Sequence, residues 1–137
     1  METIVQTHAN ATLYERLGGA WKIAILVDDF IDRILSDPRF DANPRLKEAS
    51  QHVSKAGLKY LVTEMTCWAT GGPQTYTGRS MSESHRHLMI GEDEWESFID
   101  DFRRSMDACK VRRPEQAELL AILERSKSAI VIAKGEG

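Results

Sequence analysis

Apolar residues recur at steps of three and four along most of this 137-residue chain. Within residues 20–35 they fall on one face of a helix, and charged residues occupy the opposite face. The same spacing is found over residues 58–70, 95–106 and 114–131. We find no stretch with the strict alternation of a half-buried strand. The sequence therefore predicts an all-α domain.

Helix boundaries can be read at several points. Thr12 and Glu15 have the spacing of a capping box, which predicts a helix start, and the pair Gly18–Gly19 ends that helix. Asp37–Pro38 ends the next helix, because the residue before a proline disfavours helical geometry. Asn43–Pro44 is a typical cap and first-turn pair that predicts a helix over Arg45–Lys55, although this segment contains few apolar side chains. Residues 39–57 are therefore the least predictable part.

These boundaries predict one domain over residues 12–133. It is preceded by a short N-terminal extension, residues 1–11, and followed by a flexible tail, residues 134–137. Apolar residues make up 42% and charged residues 28% of the chain, which is ordinary for a folded domain of this size.

The charge distribution and hydropathy exclude some classes of partner. The net charge is −3 and the two signs are interspersed, so we expect no nucleic-acid partner. No apolar run approaches the roughly 20 residues of a membrane helix, and the N-terminus lacks the core of a signal peptide, so we expect a cytoplasmic protein without a membrane anchor. Cys67 and Cys109 are too few for a disulfide framework and are expected to be reduced. The three tryptophans, Trp21, Trp68 and Trp95, are expected to anchor the packing.

The segment 71–90 contains the best candidate for a functional side chain. Gly71–Gly72–Pro73 ends one helix, and a turn leads into another that carries His85. On that helix His85 shares a face with Met81, Leu88 and Met89, whereas His87 points about 200° away. If His85 binds a metal, its second ring nitrogen needs an acceptor, and we expect a backbone carbonyl near Met81.

In order and spacing, these signals resemble a truncated haemoglobin of group I. The similar segments run from Thr12 to Gly19, from Val27 to Phe30, and from Gly71 through Tyr76, Gly78 and Arg79 to His85 and Ile90. The resemblance implies a shortened globin fold, with two helices packed over two. It also implies one haem b between them, and binding of O2, NO and CO at the iron.

The resemblance assigns the proximal iron ligand to His85. It makes Arg79 a partner for a haem propionate, because a guanidinium matches a carboxylate, with Tyr76 in the same loop. The alternative is that this loop only shapes a turn, in which Gly78 supplies a positive φ. The full set of side chains expected to contact the haem is His85, Tyr76, Arg79, Met81, Phe30, Ile31, Leu58, Leu61, Val62, Met65, Leu88 and Ile90.

The ligand side departs from the family pattern. Ile31 stands where a tyrosine is usual, and Leu61 and Val62 stand where polar residues, often His-Gln, are usual, with Leu58 one turn before. A hydrogen bond to bound O2 is worth about 1–3 kcal/mol in a dry pocket. Without a donor we expect O2 to dissociate faster, by roughly one to two orders of magnitude, than from a hydrogen-bonded relative. CO and NO depend less on such a donor.

A second departure follows Asp37–Pro38. The pair of phenylalanines that usually clamps the haem is replaced by residues 41–44, and extra residues follow before the ligand-side helix. His52 lies in this inserted segment. An alternative alignment would bring it over the iron as a distal ligand.

Three hypotheses remain open. The first is a haem protein that binds diatomic gases and dioxygenates or scavenges NO, with an external reductase because the chain has no room for a flavin domain. The second is a six-coordinate redox or gas sensor, in which His52 and His85 both bind iron. The third is a haem-free helical module that acts by contact with a partner protein.

Overall fold

The computed structural model describes residues 11–131, which fold into seven α-helices and two short 3-10 helices. The α-helices are α1 Leu13–Arg16, α2 Gly19–Leu35, α3 Pro44–His52, α4 Lys55–Ala69, α5 Met81–His85, α6 Glu92–Ala108 and α7 Arg113–Ile130. The 3-10 helices are Pro38–Phe40 and Arg86–Leu88. The predicted all-α class is confirmed. The predicted N-terminal extension, except Ala11, and the predicted tail lie outside the described residues.

The first helices begin where the capping residues predict. The backbone N–H of Glu15 donates to Thr12 Oγ1 (3.1 Å), and that of Thr12 donates to Glu15 Oε1 (3.0 Å), which closes the capping box. Gly18 and Gly19 have φ values of 102° and 79°. Because side-chain-bearing residues rarely adopt such values, the glycine pair allows α2 to start immediately after α1.

The inserted segment is more ordered than its composition predicts. Asn43 Oδ1 accepts from the N–H groups of Arg45 (3.0 Å) and Leu46 (3.2 Å), so the predicted start at Asn43–Pro44 is confirmed. The helix ends at His52, and after a break at Val53 the next helix begins at Lys55. The predicted extension of α3 to Lys55 is therefore wrong, as is the predicted start of α4 at Leu58. Ser54 caps α4 through the N–H of Gly57 (3.1 Å).

Helix packing forms two groups. Helix α2 packs against α4 and α6, whereas α5 packs against α7, and α6 also contacts α7. Phe30 of α2 makes edge-to-face contacts with Phe98 and Phe102 of α6, with 5.0 Å between ring centroids in both pairs. No helix within residues 11–131 is long and apolar enough to cross a membrane.

The apolar core accordingly consists of two clusters. The main cluster is built from Leu13, Ile23, Leu26, Val27, Phe30, Ile31, Cys67, Phe102, Met106 and Leu119. The second cluster is built from Leu88, Ile90, Trp95 and Ile130. Phe98 and Leu123 pack against both. The two clusters are therefore neighbours, and helices α6 and α7 contribute to both.

The tryptophans do not share one role. Trp95 is 3% exposed and stacks on Phe98 at 5.3 Å, so the predicted anchor is confirmed there. Trp21 and Trp68 are 78% and 54% exposed, and for them the prediction is wrong. Trp21 lies on the outer face of α2, opposite the buried face that includes Ile23 and Leu26.

Candidate functional site

His85 is the last residue of α5, a helix whose start is held by a capping box. The N–H of Glu83 donates to Ser80 Oγ (3.1 Å), and the N–H of Ser80 donates to Glu83 Oε1 (3.2 Å). The chain then tightens into the 3-10 helix Arg86–Leu88, and Met89 has a φ of 55°. The prediction that Met89 shares the helical face of His85 is therefore wrong, because the α-helix ends before it.

The imidazole of His85 is oriented by its neighbours on α5. Its Nδ1 lies 2.9 Å from the carbonyl oxygen of Met81 and 2.9 Å from Ser84 Oγ. Because a carbonyl only accepts, Nδ1 carries the proton in the bond to Met81, and Nε2 keeps its lone pair. Among residues 11–131 no hydrogen bond involves Nε2. The predicted carbonyl acceptor near Met81 is confirmed.

Burial lowers the pKa of His85 below the usual value of an imidazole, an effect that the hydrogen bond to Met81 opposes and the nearby His87 reinforces. The ring is therefore neutral at pH 7 and presents a nitrogen lone pair, which is the state that binds a metal. No group of three or more histidine, cysteine or acidic side chains in the described part of the chain could hold an ion. A single imidazole donor would suit a metal whose other ligands come from a cofactor.

The predicted contacts on the His85 side lie together. Leu88 and Ile90 are buried in the second cluster, and Met81 packs against it. The same cluster contains Trp95, whose indole N–H is buried and has no hydrogen-bond partner among the described residues. Apolar side chains thus shield the segment that carries the imidazole.

The predicted contacts on the opposite side belong mostly to the main cluster. Phe30 and Ile31 are buried within it, and Leu58 and Val62 of α4 are half-buried against it. Leu61 is 37% exposed, and neither Leu61 nor Met65 packs into the described clusters. None of the side chains of Ile31, Leu58, Leu61 and Val62 has a hydrogen-bond donor. That these residues together line a ligand side stays a prediction.

The loop between α4 and α5 is held by hydrogen bonds and a ring contact, both within the loop and to α4. The Tyr76 hydroxyl donates to the carbonyl of Arg79 (2.7 Å), and its ring stacks on Trp68 with 6.2 Å between centroids. The N–H and hydroxyl of Thr77 donate to Glu64 Oε1 (2.8 and 2.7 Å). The side chain of Arg79 is exposed.

The predicted reason for Gly78 is wrong. Among the described glycines a positive φ occurs at Gly18, Gly19 and Gly71, and not at Gly78. A Cβ at position 78 would overlap with the Tyr76 hydroxyl oxygen. The glycine is therefore required by the close approach of a side chain, and not by backbone conformation.

His52 and Asn43 mark the two ends of α3. His52 is exposed at the last position of that helix. Asn43 is 7% exposed, and its Nδ2 donates to the carbonyls of Leu88 (3.0 Å) and Met89 (3.2 Å), directly after the His85 helix. From the sequence, Asn43 is recognisable only as a helix cap, because an Asn-Pro pair carries no further signal.

Comparison with known proteins agrees with this architecture. A family model described as bacterial-like globin matches residues 12–132. The chain belongs to this globin family. A group 1 truncated hemoglobin of Synechocystis is 30% identical over 119 residues, which cover 82% of this chain and 89% of the relative. A group 1 truncated hemoglobin of Tetrahymena pyriformis is 22% identical and covers 85% of this chain and 91% of the relative.

Solved structures show the same fold. This globin is similar to the truncated hemoglobin of Tetrahymena pyriformis in its Fe(III) form, with a TM-score of 0.76 and 20% identity over 89% of this chain and 99% of that one. It is also similar to a 2/2 hemoglobin of Synechococcus in the cyanomet state with covalently attached heme. That match has a TM-score of 0.71 and 23% identity, over 83% of this chain and 91% of that one.

The resemblance to truncated haemoglobins, and with it the two-over-two globin fold, is confirmed. Membership of this family implies haem-based binding of diatomic gases.

Proposed function

We propose that this globin holds a haem b through Nε2 of His85 and binds O2, NO and CO at the iron. The observation that carries the proposal is the 2.9 Å contact between Nδ1 and the Met81 carbonyl, which leaves Nε2 as the lone-pair donor of a neutral ring. When bound, the haem supplies the iron at which a diatomic ligand binds and an electron is exchanged.

The hydrogen bond to Met81 fixes both the tautomer and the plane of the His85 ring. It also makes the imidazole a stronger electron donor, because the proton on Nδ1 is partly shared with the carbonyl oxygen. Met81, Leu88 and Ile90 exclude water from this side and favour the neutral form of the ring.

We assign the ligand side to Ile31, Leu58, Leu61 and Val62, with Met65 and Phe30 beside them. Because these side chains lack a hydrogen-bond donor, they give bound O2 no polar stabilisation. Such a wall suits NO and CO, whose binding depends less on a donor, and makes a long-lived O2 store a poor alternative.

We assign the haem carboxylates to the loop that contains Tyr76 and Arg79. The exposed guanidinium of Arg79 is a planar donor that matches a carboxylate. The bond from Tyr76 to the Arg79 carbonyl fixes the backbone from which that side chain extends.

Within gas binding, we propose a reaction with NO. Conversion of NO and O2 to nitrate consumes one electron per turnover, so this activity requires an external reductase. A cytoplasmic site of action suits the two free thiols, Cys67 and Cys109, since reducing compartments keep cysteines unpaired.

Absorption spectroscopy of the protein titrated with haem tests the proposal. We expect saturation at one haem per chain, with a high-spin or water-bound ferric spectrum. His85→Ala should abolish haem retention, whereas the neighbouring His87→Ala should leave the spectrum unchanged.

The same spectra distinguish the two alternatives. A low-spin bis-histidine spectrum that His52→Ala converts to high spin would support the six-coordinate sensor. The exposed position of His52 does not favour that result. A spectrum that stays that of free haem at every haem concentration would support the haem-free module and contradict the proposal.

A further inference from the structure

Asn43 connects the inserted segment to the backbone three and four residues after His85. Its Oδ1 begins α3 by accepting from the N–H groups of Arg45 and Leu46. Its Nδ2 donates to the carbonyls of Leu88 (3.0 Å) and Met89 (3.2 Å) and to Glu94 Oε1 (3.2 Å). One buried amide thus serves as a helix cap at one end and as a clamp on a distant loop at the other.

The clamped loop contains a backbone conformation that needs support. Met89 has a φ of 55°, a region that residues with a side chain rarely adopt. Such conformations persist only where the surroundings hold them in place. Two of the three acceptors of Nδ2 are the carbonyls of Leu88 and Met89. Asn43 therefore bonds directly to the residue with the positive φ and to the residue before it.

Neighbouring contacts reinforce the clamp. Glu94 Oε1 also accepts from the N–H of Gly91 (2.9 Å), which closes the loop against the start of α6. The Arg45 guanidinium donates to the carbonyl of His87 (3.4 Å). Leu46 and Ala49 of α3 pack against the second cluster, which contains Leu88. Helix α3 therefore lies along the residues after His85.

We propose that Asn43 is a positioning residue for His85, and that it fixes the imidazole from the C-terminal side as Met81 does from the N-terminal side. The inference rests on the proposed function, because it concerns the orientation of the ring toward iron. Since α5 is only five residues long and ends at His85, the following turn has direct control over the direction of this side chain. The inserted segment would therefore help to orient His85, on the proximal side of the haem.

The test separates the two roles of Asn43. Asn43→Asp keeps the oxygen that caps α3, removes both N–H donors, and places a carboxylate against two carbonyls and Glu94. Asn43→Ser keeps a capping oxygen without adding charge, and serves as a second variant if the first folds poorly. Thr12→Ala removes a cap at α1 and is the matched control.

Two readouts report on the iron. One is the iron–histidine stretching band in the resonance Raman spectrum of the ferrous, ligand-free protein, and the other is the rate of haem transfer to an acceptor globin. We expect both Asn43 variants to shift or broaden the band and to accelerate haem loss by roughly fivefold to tenfold, as the loss of about one net hydrogen bond implies. Thr12→Ala should leave the band unchanged.

A third readout tests the clamp without reference to iron. Amide hydrogen exchange of residues 86–91 in the protein as purified should accelerate in both Asn43 variants and not in Thr12→Ala. Faster exchange with an unchanged band and haem transfer rate would overturn the positioning role, as would unchanged exchange in both variants. A wild-type protein without an iron–histidine band would instead overturn the proposed function, and exchange would still report on the clamp.

Discussion

At the scale of single residues, the two sides of the candidate site differ in their hydrogen-bonding capacity. On one side the ring of His85 is held by the Met81 carbonyl, at 2.9 Å. On the proposed ligand side, the side chains of Ile31, Leu58, Leu61 and Val62 contribute only hydrocarbon. The ligand preference proposed above therefore depends on the absence of a hydrogen-bond donor, which a substitution can supply.

Leu61→Gln should restore such a donor. Leu61 is 37% exposed and belongs to neither cluster, so a longer polar side chain can be accommodated there. We expect O2 to dissociate about tenfold more slowly, which corresponds to a hydrogen bond of about 1.4 kcal/mol, with a smaller effect on CO. Stopped-flow measurement of O2 release checks this. Leu61→Met is the matched control, and equal O2 release from both variants would remove Leu61 from the ligand side.

Residue-level predictions succeeded where the determining contact is local. The acceptor for His85 lies four residues earlier on the same helix, so helical spacing alone identifies it. The reason for Gly78 was missed because it depends on the position of the Tyr76 ring after the loop has folded. Asn43 was recognised as a cap, but its contact with Leu88 spans 45 residues of sequence.

At the scale of elements, the contact between α2 and α6 is the centre of the main cluster. Phe30 lies between Phe98 and Phe102, and it is 4% exposed. Such a ring contributes both buried area and edge-to-face contacts. It also lies next to Ile31, so its packing supports the proposed ligand side.

Phe30→Ala should lower the free energy of unfolding by about 3–5 kcal/mol, because it removes a buried ring and leaves a cavity. Urea denaturation followed by circular dichroism measures the change. Ile25→Ala on the same helix is the control, because Ile25 is exposed, and we expect it to cost less than about 1 kcal/mol. Similar decreases in the free energy of unfolding for the two variants would contradict the conclusion that Phe30 is central to the main cluster.

Helices with a regular apolar face were the predictable elements. Helices α2, α6 and α7 were anticipated because their buried residues recur with the helical period. Helix α3 has no buried residue of its own, so hydrophobic periodicity could not reveal it. It is held by Asn43 and by the partial packing of Leu46 and Ala49 against the second cluster, and these contacts exist only in the folded molecule.

At the scale of the whole molecule, a cluster of charges joins the first 3-10 helix to α6. Arg39 pairs with Asp37 (2.8 Å), Asp100 (3.0 Å) and Asp101 (3.1 Å). Burial raises the pKa of Asp101 to about 7, and the neighbouring Asp37 carboxylate adds to the rise. The Arg39 guanidinium holds the pKa of Asp37 well below its usual range. We infer that Asp101 retains a proton at mildly acidic pH while Asp37 stays ionised.

This arrangement predicts a pH dependence of stability with a definite sign. Between about pH 4 and pH 7 the folded state keeps a proton on Asp101 that the unfolded chain releases. The contribution of Asp101 to the free energy of unfolding therefore falls as pH rises. The lowered pKa of Asp37 has the opposite effect, but only below about pH 4. The excess stability of wild type over Asp101→Asn should therefore decline from pH 5 to pH 8.

Urea denaturation of both proteins across this range checks the sign. Asp100→Asn is the control, because Arg39 lowers the pKa of Asp100 and its substitution should add no such decline. If the difference in the free energy of unfolding between wild type and Asp101→Asn is constant or grows with pH, Asp101 is ionised throughout this range.

The division of the core into two clusters was not predictable from the sequence. Periodicity shows which face of each helix is apolar, but not which helices those faces meet. Trp21 and Trp68 illustrate the limit, because their size favours burial while their positions on α2 and α4 leave them exposed. The family resemblance supplied the arrangement that local patterns lacked.

The most direct test of the account is chemical rescue at position 85. His85→Gly removes the imidazole, and we expect the variant to lose its haem during purification. We also expect it to recover a single haem per chain, with a high-spin ferrous spectrum, when imidazole is added in solution. His87→Gly should need no rescue. Haem retention by His85→Gly without imidazole, with an unchanged spectrum, would show that the iron is held by another residue.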